Sequence, residues 1–84
     1  MNRPELEFPL NWEYKIIACR TDQALAGICN VIAAHGFEAE LRPGSVSRNG
    51  SYVTYRVSMR MNNREQLDAL TRALAGCEGV KYLL

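Results

Sequence analysis

Between Trp12 and Cys19 (W-E-Y-K-I-I-A-C) the chain alternates. Trp12, Tyr14, Ile16 and Ala18 fall on one face, and Glu13, Lys15, Ile17 and Cys19 on the other. A period of two over this length predicts a strand. The spacing then changes to three and four. Leu25, Ile28 and Ile32, with Cys29 and Val31 beside them, predict an apolar helix stripe. Thr21 or Asp22 can cap that helix, because either side chain accepts from the open N–H groups of a first turn. The helix is expected to run to about His35, with Gly36 taking the left-handed position after it.

Weak alternation from Phe37 to Leu41 predicts a second strand, and Pro43-Gly44 then interrupts the pattern. Proline donates nothing to a ladder, so this strand belongs at a sheet edge, bulged or broken. Asn49-Gly50 predicts a type I′ hairpin turn. From Ser51 to Met61 the alternation is cleanest. Val53, Tyr55, Val57, Met59 and Met61 face one way; Tyr52, Thr54, Arg56, Ser58 and Arg60 face the other. That polar face reads as the wet side of an antiparallel sheet. Asn63 with Gln66 three residues on is a capping-box variant. It opens a second helix with Leu67, Leu70 and Leu74 inward, ended by Gly76 or Gly79. Val80 to Leu84 predicts a last strand with Val80, Tyr82 and Leu84 inward. Residues 1–11, broken by Pro4, Pro9 and Asn11, read as an extended arm. Residues 12–84 then form a single domain.

The order is β-α-β-β-α-β. Two right-handed crossovers around a central hairpin give an α+β, ferredoxin-like sandwich. Its antiparallel sheet has the order 4-1-3-2, with two helices on one face. The first and third strands are then central neighbours, and Lys15 lies near Arg56 or Arg60.

Composition changes this picture little. At 84 residues and 9.5 kDa there is room for one domain. With 48% hydrophobic and 23% charged residues the chain is not of disordered type. Its longest uncharged helical stretch, Gln23 to Phe37, falls short of the ~20 apolar residues that span a bilayer. No membrane role is expected. Met1 to Glu7 lacks the apolar core of a signal peptide. Cys19, Cys29 and Cys77 form no C-x-x-C pair, so neither a zinc site nor a redox pair is expected. Free thiols without a secretory signal suit a cytoplasmic location.

The net charge is +1, yet its distribution is uneven. Between Leu41 and Arg64 lie Arg42, Arg48, Arg56, Arg60 and Arg64, and no acid. Such a run is either a solvated basic edge or a surface for an anion or an acidic partner.

Residues 6–84 resemble the YbeD-like family of small bacterial proteins. The resemblance rests on an ordered set of short matches: Leu6-Glu7-Phe8-Pro9, Tyr14-Lys15-Ile16, Arg42-Pro43, Asn49-Gly50-Ser51-Tyr52, Glu65-Gln66-Leu67, Leu74, and Val80-Lys81-Tyr82-Leu83-Leu84. It implies a ferredoxin-like fold similar to the ACT regulatory domains, which often bind amino acids and pair through their sheets. It implies no activity. Amino-acid-binding ACT domains place a glycine in the turn between first strand and first helix; here that turn reads Cys19-Arg20-Thr21-Asp22, without one. Arg20, Thr21 and Asp22 remain the candidate ligand turn.

Catalytic chemistry finds no footing. His35 is the one histidine and sits where a helix C-terminus favours it for structural reasons. No nucleophile–base–orienter set can be assembled, and no carboxylate pair, metal spacing or phosphate loop is present. Cys19 beside Arg20 and Cys29 on the apolar helix face read as inert thiols. We therefore expect no enzyme, no cofactor and no metal. RNA recognition would need several outward aromatics, and only Tyr52 is expected on the platform, so nucleic acid is disfavoured.

The remaining surface is the outward sheet face: Lys15, Ile17, Thr54, Arg56, Ser58 and Arg60, with Leu83 adding apolar contact. The expected function is a cytoplasmic, non-catalytic regulatory or adaptor module. It would act by binding a protein partner or a second copy through that face. The alternatives are a small-anion or amino-acid sensor of ACT type and a weak single-stranded RNA binder.

Overall fold

The computed structural model describes residues 6–84. Six elements follow in the expected order: β1 (Leu10–Cys19), α1 (Asp22–Ala34), β2 (Arg42–Val46), β3 (Tyr52–Met61), α2 (Arg64–Ala75) and β4 (Val80–Leu83). The sheet runs β2-β3-β1-β4 and every pairing is antiparallel. This is the ferredoxin-like α+β arrangement anticipated from the alternation. Residues 1–5 of the expected N-terminal arm lie outside the described residues. Its last two residues, Leu10 and Asn11, open β1, because they pair with Met61 and Arg60.

The core lies between the sheet's inner face and the two helices. Tyr14, Ile16 and Ala18 of β1 meet Val53, Val57 and Met61 of β3, capped by Ile28 and Ile32 of α1 and Leu67, Leu70 and Leu74 of α2. No side chain in this core is charged. Cys29, expected in the core, is exposed instead. The buried stripe of α1 runs through Ala24, Ile28 and Ile32, and Cys29 stands about 100° round the helix from Ile28.

Local chemistry fixes the helix starts. Thr21 caps α1, its Oγ1 accepting from the Ala24 N–H at 3.1 Å. Asn63 caps α2, its Oδ1 accepting from the Gln66 N–H at 2.8 Å. The Gln66 Oε1 reaches back to the N–H of Asn62, one residue before the usual capping-box donor.

Three sequence expectations are corrected by the sheet. The second strand does not lie over 37–41. It is Arg42–Val46, the proline and glycine included, and its register against β3 slips between Pro43 and Val46. An edge position leaves the proline's missing N–H without consequence, and a bulge absorbs the extra residue. The hairpin is not type I′ either, since Gly50 alone in that turn has positive φ (77°). The Gly50 N–H donates to Ser47 O, and the Asn49 side chain accepts from the Ser47 hydroxyl and the Ser51 N–H. That is a longer turn with a left-handed glycine at its exit.

The third correction concerns β4. Val80 faces Ala18, but Tyr82 faces Ile17 and Leu83 faces Ile16. The register shift between Ile17 and Ala18 places one extra residue, Lys81, in β4. Because strand side chains alternate, one inserted residue inverts every later side chain. Leu83 therefore packs against the core, while Tyr82 (57% exposed) and Leu84 (69%) point outward, against expectation. Just before this strand, Gly79 has φ +90°, and a Cβ there would stand 2.8 Å from that of Ala24. The approach to β4 thus lies tight against the start of α1.

Tyr14 ties β1 to α2. Its hydroxyl lies 2.7 Å from Thr71 Oγ1 and donates to Leu67 O at 3.3 Å, while its ring is buried. Burial pushes this phenol above its ordinary 10.0; the Thr71 hydrogen bond opposes the rise and Asp68 adds to it. The unfolded chain therefore loses this proton first, so stability falls as pH climbs past about 10. We predict that Tyr14→Phe lowers unfolding stability near neutral pH by about 1 kcal/mol. The same substitution flattens the alkaline limb of a stability–pH curve measured by urea titration.

Candidate functional site

Because β1 and β3 pair without a slip, their outward side chains form straight rows across the sheet. Asn11 faces Arg60, Glu13 faces Ser58, Lys15 faces Arg56, Ile17 faces Thr54, and Cys19 faces Tyr52. The neighbouring strands extend two of these rows. Arg42 of β2 faces Arg56, and Tyr82 of β4 faces Ile17. Leu84 exchanges both backbone hydrogen bonds with Lys15, at 2.8 and 3.0 Å.

One row is therefore cationic over three adjacent strands: Lys15, Arg56, Arg42. Among the described residues the one ion pair is Arg64 with Asp68, an exposed contact at 3.8 Å on α2. None of the three cations takes part in an ion pair among the described residues. Like charges directly opposed on neighbouring strands, about 4.8 Å apart, destabilise a sheet. Taken alone, the row is an electrostatic cost carried in the middle of the outward face.

Two concavities flank Arg56. One, of about 230 Å³, is lined by Lys15, Ile17, Gly44, Ser45, Thr54, Arg56 and Leu84, so all four strands or their ends contribute and no acidic side chain does. The other, of about 330 Å³, holds Glu13, Glu38 and Glu40 with Arg42 and Arg56. The Ser58 hydroxyl points to Glu13, 3.5 Å from its Oε2. The structure therefore brings Lys15, Ile17, Thr54 and Arg56 together at one hollow. It sets Ser58 one row away and Arg60 two rows away.

Arg42, Tyr82 and Leu84 belong to this face and were missed from the sequence. Arg42 was hidden by the misplaced second strand, and the other two by the β4 bulge. The bulge residue Lys81 carries its Nζ 4.3 Å above the Tyr52 ring and 5.8 Å from the Tyr82 ring. That puts a cation over two tyrosines at one end of the sheet.

The candidate turn is built differently. Thr21 spends its hydroxyl on the α1 cap, and the Arg20 N–H donates to Ser51 O. A nearby hollow of about 480 Å³ is lined by Cys19, Thr21, Gln23, Ala24, Glu78 and Gly79, and neither Arg20 nor Asp22 takes part. The three turn residues are therefore not brought to one concavity.

The thiols are dispersed. Cys77 is half-buried with its Sγ donating to Ala73 O at 3.5 Å, and burial pushes its pKa up. Among the described residues no group of three or more His, Cys, Asp or Glu side chains is placed to hold a metal. No described helix is long and apolar enough to cross a membrane.

Comparisons with known proteins agree with the geometry. The family described as Protein of unknown function (DUF493) matches residues 3–84. A UPF0250 protein of Janthinobacterium sp. (strain Marseille) is 36% identical over 84 residues, covering 94% of this chain and 89% of its own length. The solution structure of protein HP0495 from H. pylori superposes with a TM-score of 0.85 at 18% identity, covering 98% of this chain and 88% of that one. The ACT domain from GTP pyrophosphokinase of Chlorobium tepidum superposes with a TM-score of 0.67 at 17% identity, covering 90% and 96%. At such identities these two structures speak for the fold alone.

The cationic row makes a direct prediction. Glu38→Gln combined with Glu40→Gln strips acids that share a hollow with Arg42 and Arg56, leaving the row's repulsion less offset, so the variant melts about 1–4 °C lower than the parent at low salt. The gap closes in about 0.5 M NaCl, where charges are screened over a few ångströms. Thermal melts at two salt concentrations check it.

Proposed function

This chain belongs to the DUF493 family, and from its ACT-like fold and its outward sheet face we propose that it acts in the cytoplasm as a non-catalytic regulatory or adaptor module. Its working surface in this reading is the outward face, and its partner is a protein with an acidic, partly apolar contact surface. The observation that carries the reading is the juxtaposition of the Lys15–Arg56–Arg42 row with exposed Tyr82 and Leu84 and half-buried Ile17. Apolar centres edged by arginine are the composition of protein-binding patches. The cost of opposed cations is offset when a partner supplies the missing negative charge.

A second copy fits this face less well. A two-fold dimer centred on the row would set cations against cations. The edges support the same preference. β2 carries Pro43 and a bulge, devices that discourage strand-to-strand addition. Amino-acid sensing in the ACT manner gains no support, because Thr21 is committed to its helix and the turn holds no glycine.

Affinity capture with a tagged chain in its native cell tests the reading. Lys15→Glu combined with Arg56→Glu is expected to reduce recovery of a specific partner at least tenfold. An Arg72→Glu variant on α2 leaves recovery unchanged. Equal recovery by all three chains contradicts the assignment of the face.

A further inference from the structure

The hollow of about 230 Å³ beside Arg56 has a feature that a general docking face does not need. Its lining contains two side-chain cations, Lys15 and Arg56, two hydroxyl-bearing residues, Ser45 and Thr54, and no acidic side chain. The adjoining hollow across Arg56 holds three carboxylates, so the absence of acid is local to this side. Ile17 and Leu84 supply an apolar shoulder, and Gly44 forms part of the opposite wall. A Cβ at Gly44 would already stand 3.2 Å from Thr54 O, so β2 lies close over β3 there.

We propose that this hollow is a binding site for a small organic phosphate monoester whose substituent is at least partly apolar. The charge count selects the class. Lys15 and Arg56 are opposed across the strands and unpaired among the described residues. Arg42 continues the same row, so a phosphate monoester, at about −1.5 to −2 near neutral pH, balances more of its side-chain charge than a carboxylate with a single charge does.

The donors fit as well. Guanidinium offers a planar fork for two phosphate oxygens, ammonium a point charge for the third, and the two hydroxyls complete the shell. The volume is smaller than the pockets that enclose drug-sized ligands. The phosphate therefore sits between Lys15 and Arg56 while its substituent lies across Ile17 and Leu84. Binding removes the repulsion within the row, so ligand and fold stabilise each other.

The site shares its face with the function proposed above and rests on that reading only for the choice of face. The test is a ¹⁵N-correlation NMR titration of the full chain with phenyl phosphate. Saturable shifts are expected at Lys15, Ile17, Ser45, Thr54, Arg56 and Leu84. Inorganic phosphate shifts the same amides with weaker affinity, benzoate binds more weakly still, and benzyltrimethylammonium leaves the spectrum unchanged. Lys15→Gln and Arg56→Gln each weaken phenyl phosphate by about tenfold or more, and Arg72→Gln leaves it as it was. The same spectra report whether each variant is folded.

A parallel titration with a short phosphoserine peptide separates the two sources of this chemistry. Tighter binding than phenyl phosphate assigns the ester to a modified protein, and weaker binding to a free metabolite. Absence of saturation in about 10 mM phenyl phosphate overturns the site, as does equal affinity in the Lys15 and Arg56 variants. If phosphate fails while partner capture still depends on Arg56, the site falls and the face stands. If phosphate binds while partner capture ignores Arg56, the reverse holds.

Discussion

The unbroken pairing of β1 with β3 is the constraint from which the rest follows. Ten residues of each strand lie opposite one another from Leu10–Met61 to Cys19–Tyr52. With a side-chain period of two, that single register decides both faces at once. It puts Tyr14, Ile16 and Ala18 with Val53, Tyr55 and Val57 beneath the helices. It also stacks Lys15 on Arg56 in the middle of the other face. Burial of the first set supplies the driving force, and the second set is the electrostatic consequence that the fold carries.

The two flanking strands depart from this regularity, and both departures shape the candidate site. In β2 the bulge after Pro43 brings Arg42 into line with Arg56 and sets Gly44 and Ser45 beside Thr54. In β4 the extra residue Lys81 turns Leu83 inward and sends Tyr82 and Leu84 to the outer face. Bulges re-aim side chains at sheet edges, and here they furnish the apolar shoulder and one wall of the hollow. The central strands supply the charge and the edges supply its surroundings.

This division explains what the sequence could disclose. Element order, sheet order, the helix cap at Asn63, the choice of Thr21 or Asp22 for the other cap, and the face of every β3 residue followed from periodicity and turn chemistry. Those signals are local. Given the sheet order, they also brought Lys15 near Arg56 or Arg60, and only the register chose Arg56. The position of β2, the turn at Asn49-Gly50 and the parity of β4 did not follow. β2 lies five residues later than its alternation suggested, and β4 changes parity by one inserted residue; both are decided by pairing with a neighbouring strand. Alternation in β4 fitted an inward Tyr82 as well as an inward Leu83; only contact with Ile16 and Ile17 separates them. Arg42 and Leu84 were illegible as site residues for the same reason.

The candidate ligand turn is occupied by its own helix cap, whereas the open sheet face presents the row of Lys15, Arg56 and Arg42, which is why the proposed recognition is assigned to that face. The account depends on register, so register is what should be measured. Cross-strand proton contacts from a nuclear Overhauser spectrum of the chain test it most directly. The account predicts a backbone contact between Lys15 and Arg56, with Ile17 facing Thr54 and Tyr82. Contacts from Lys15 to Tyr55 or Val57 in place of Arg56 would put Lys15 on the face of Tyr55 and Val57, away from Arg56, and contradict it.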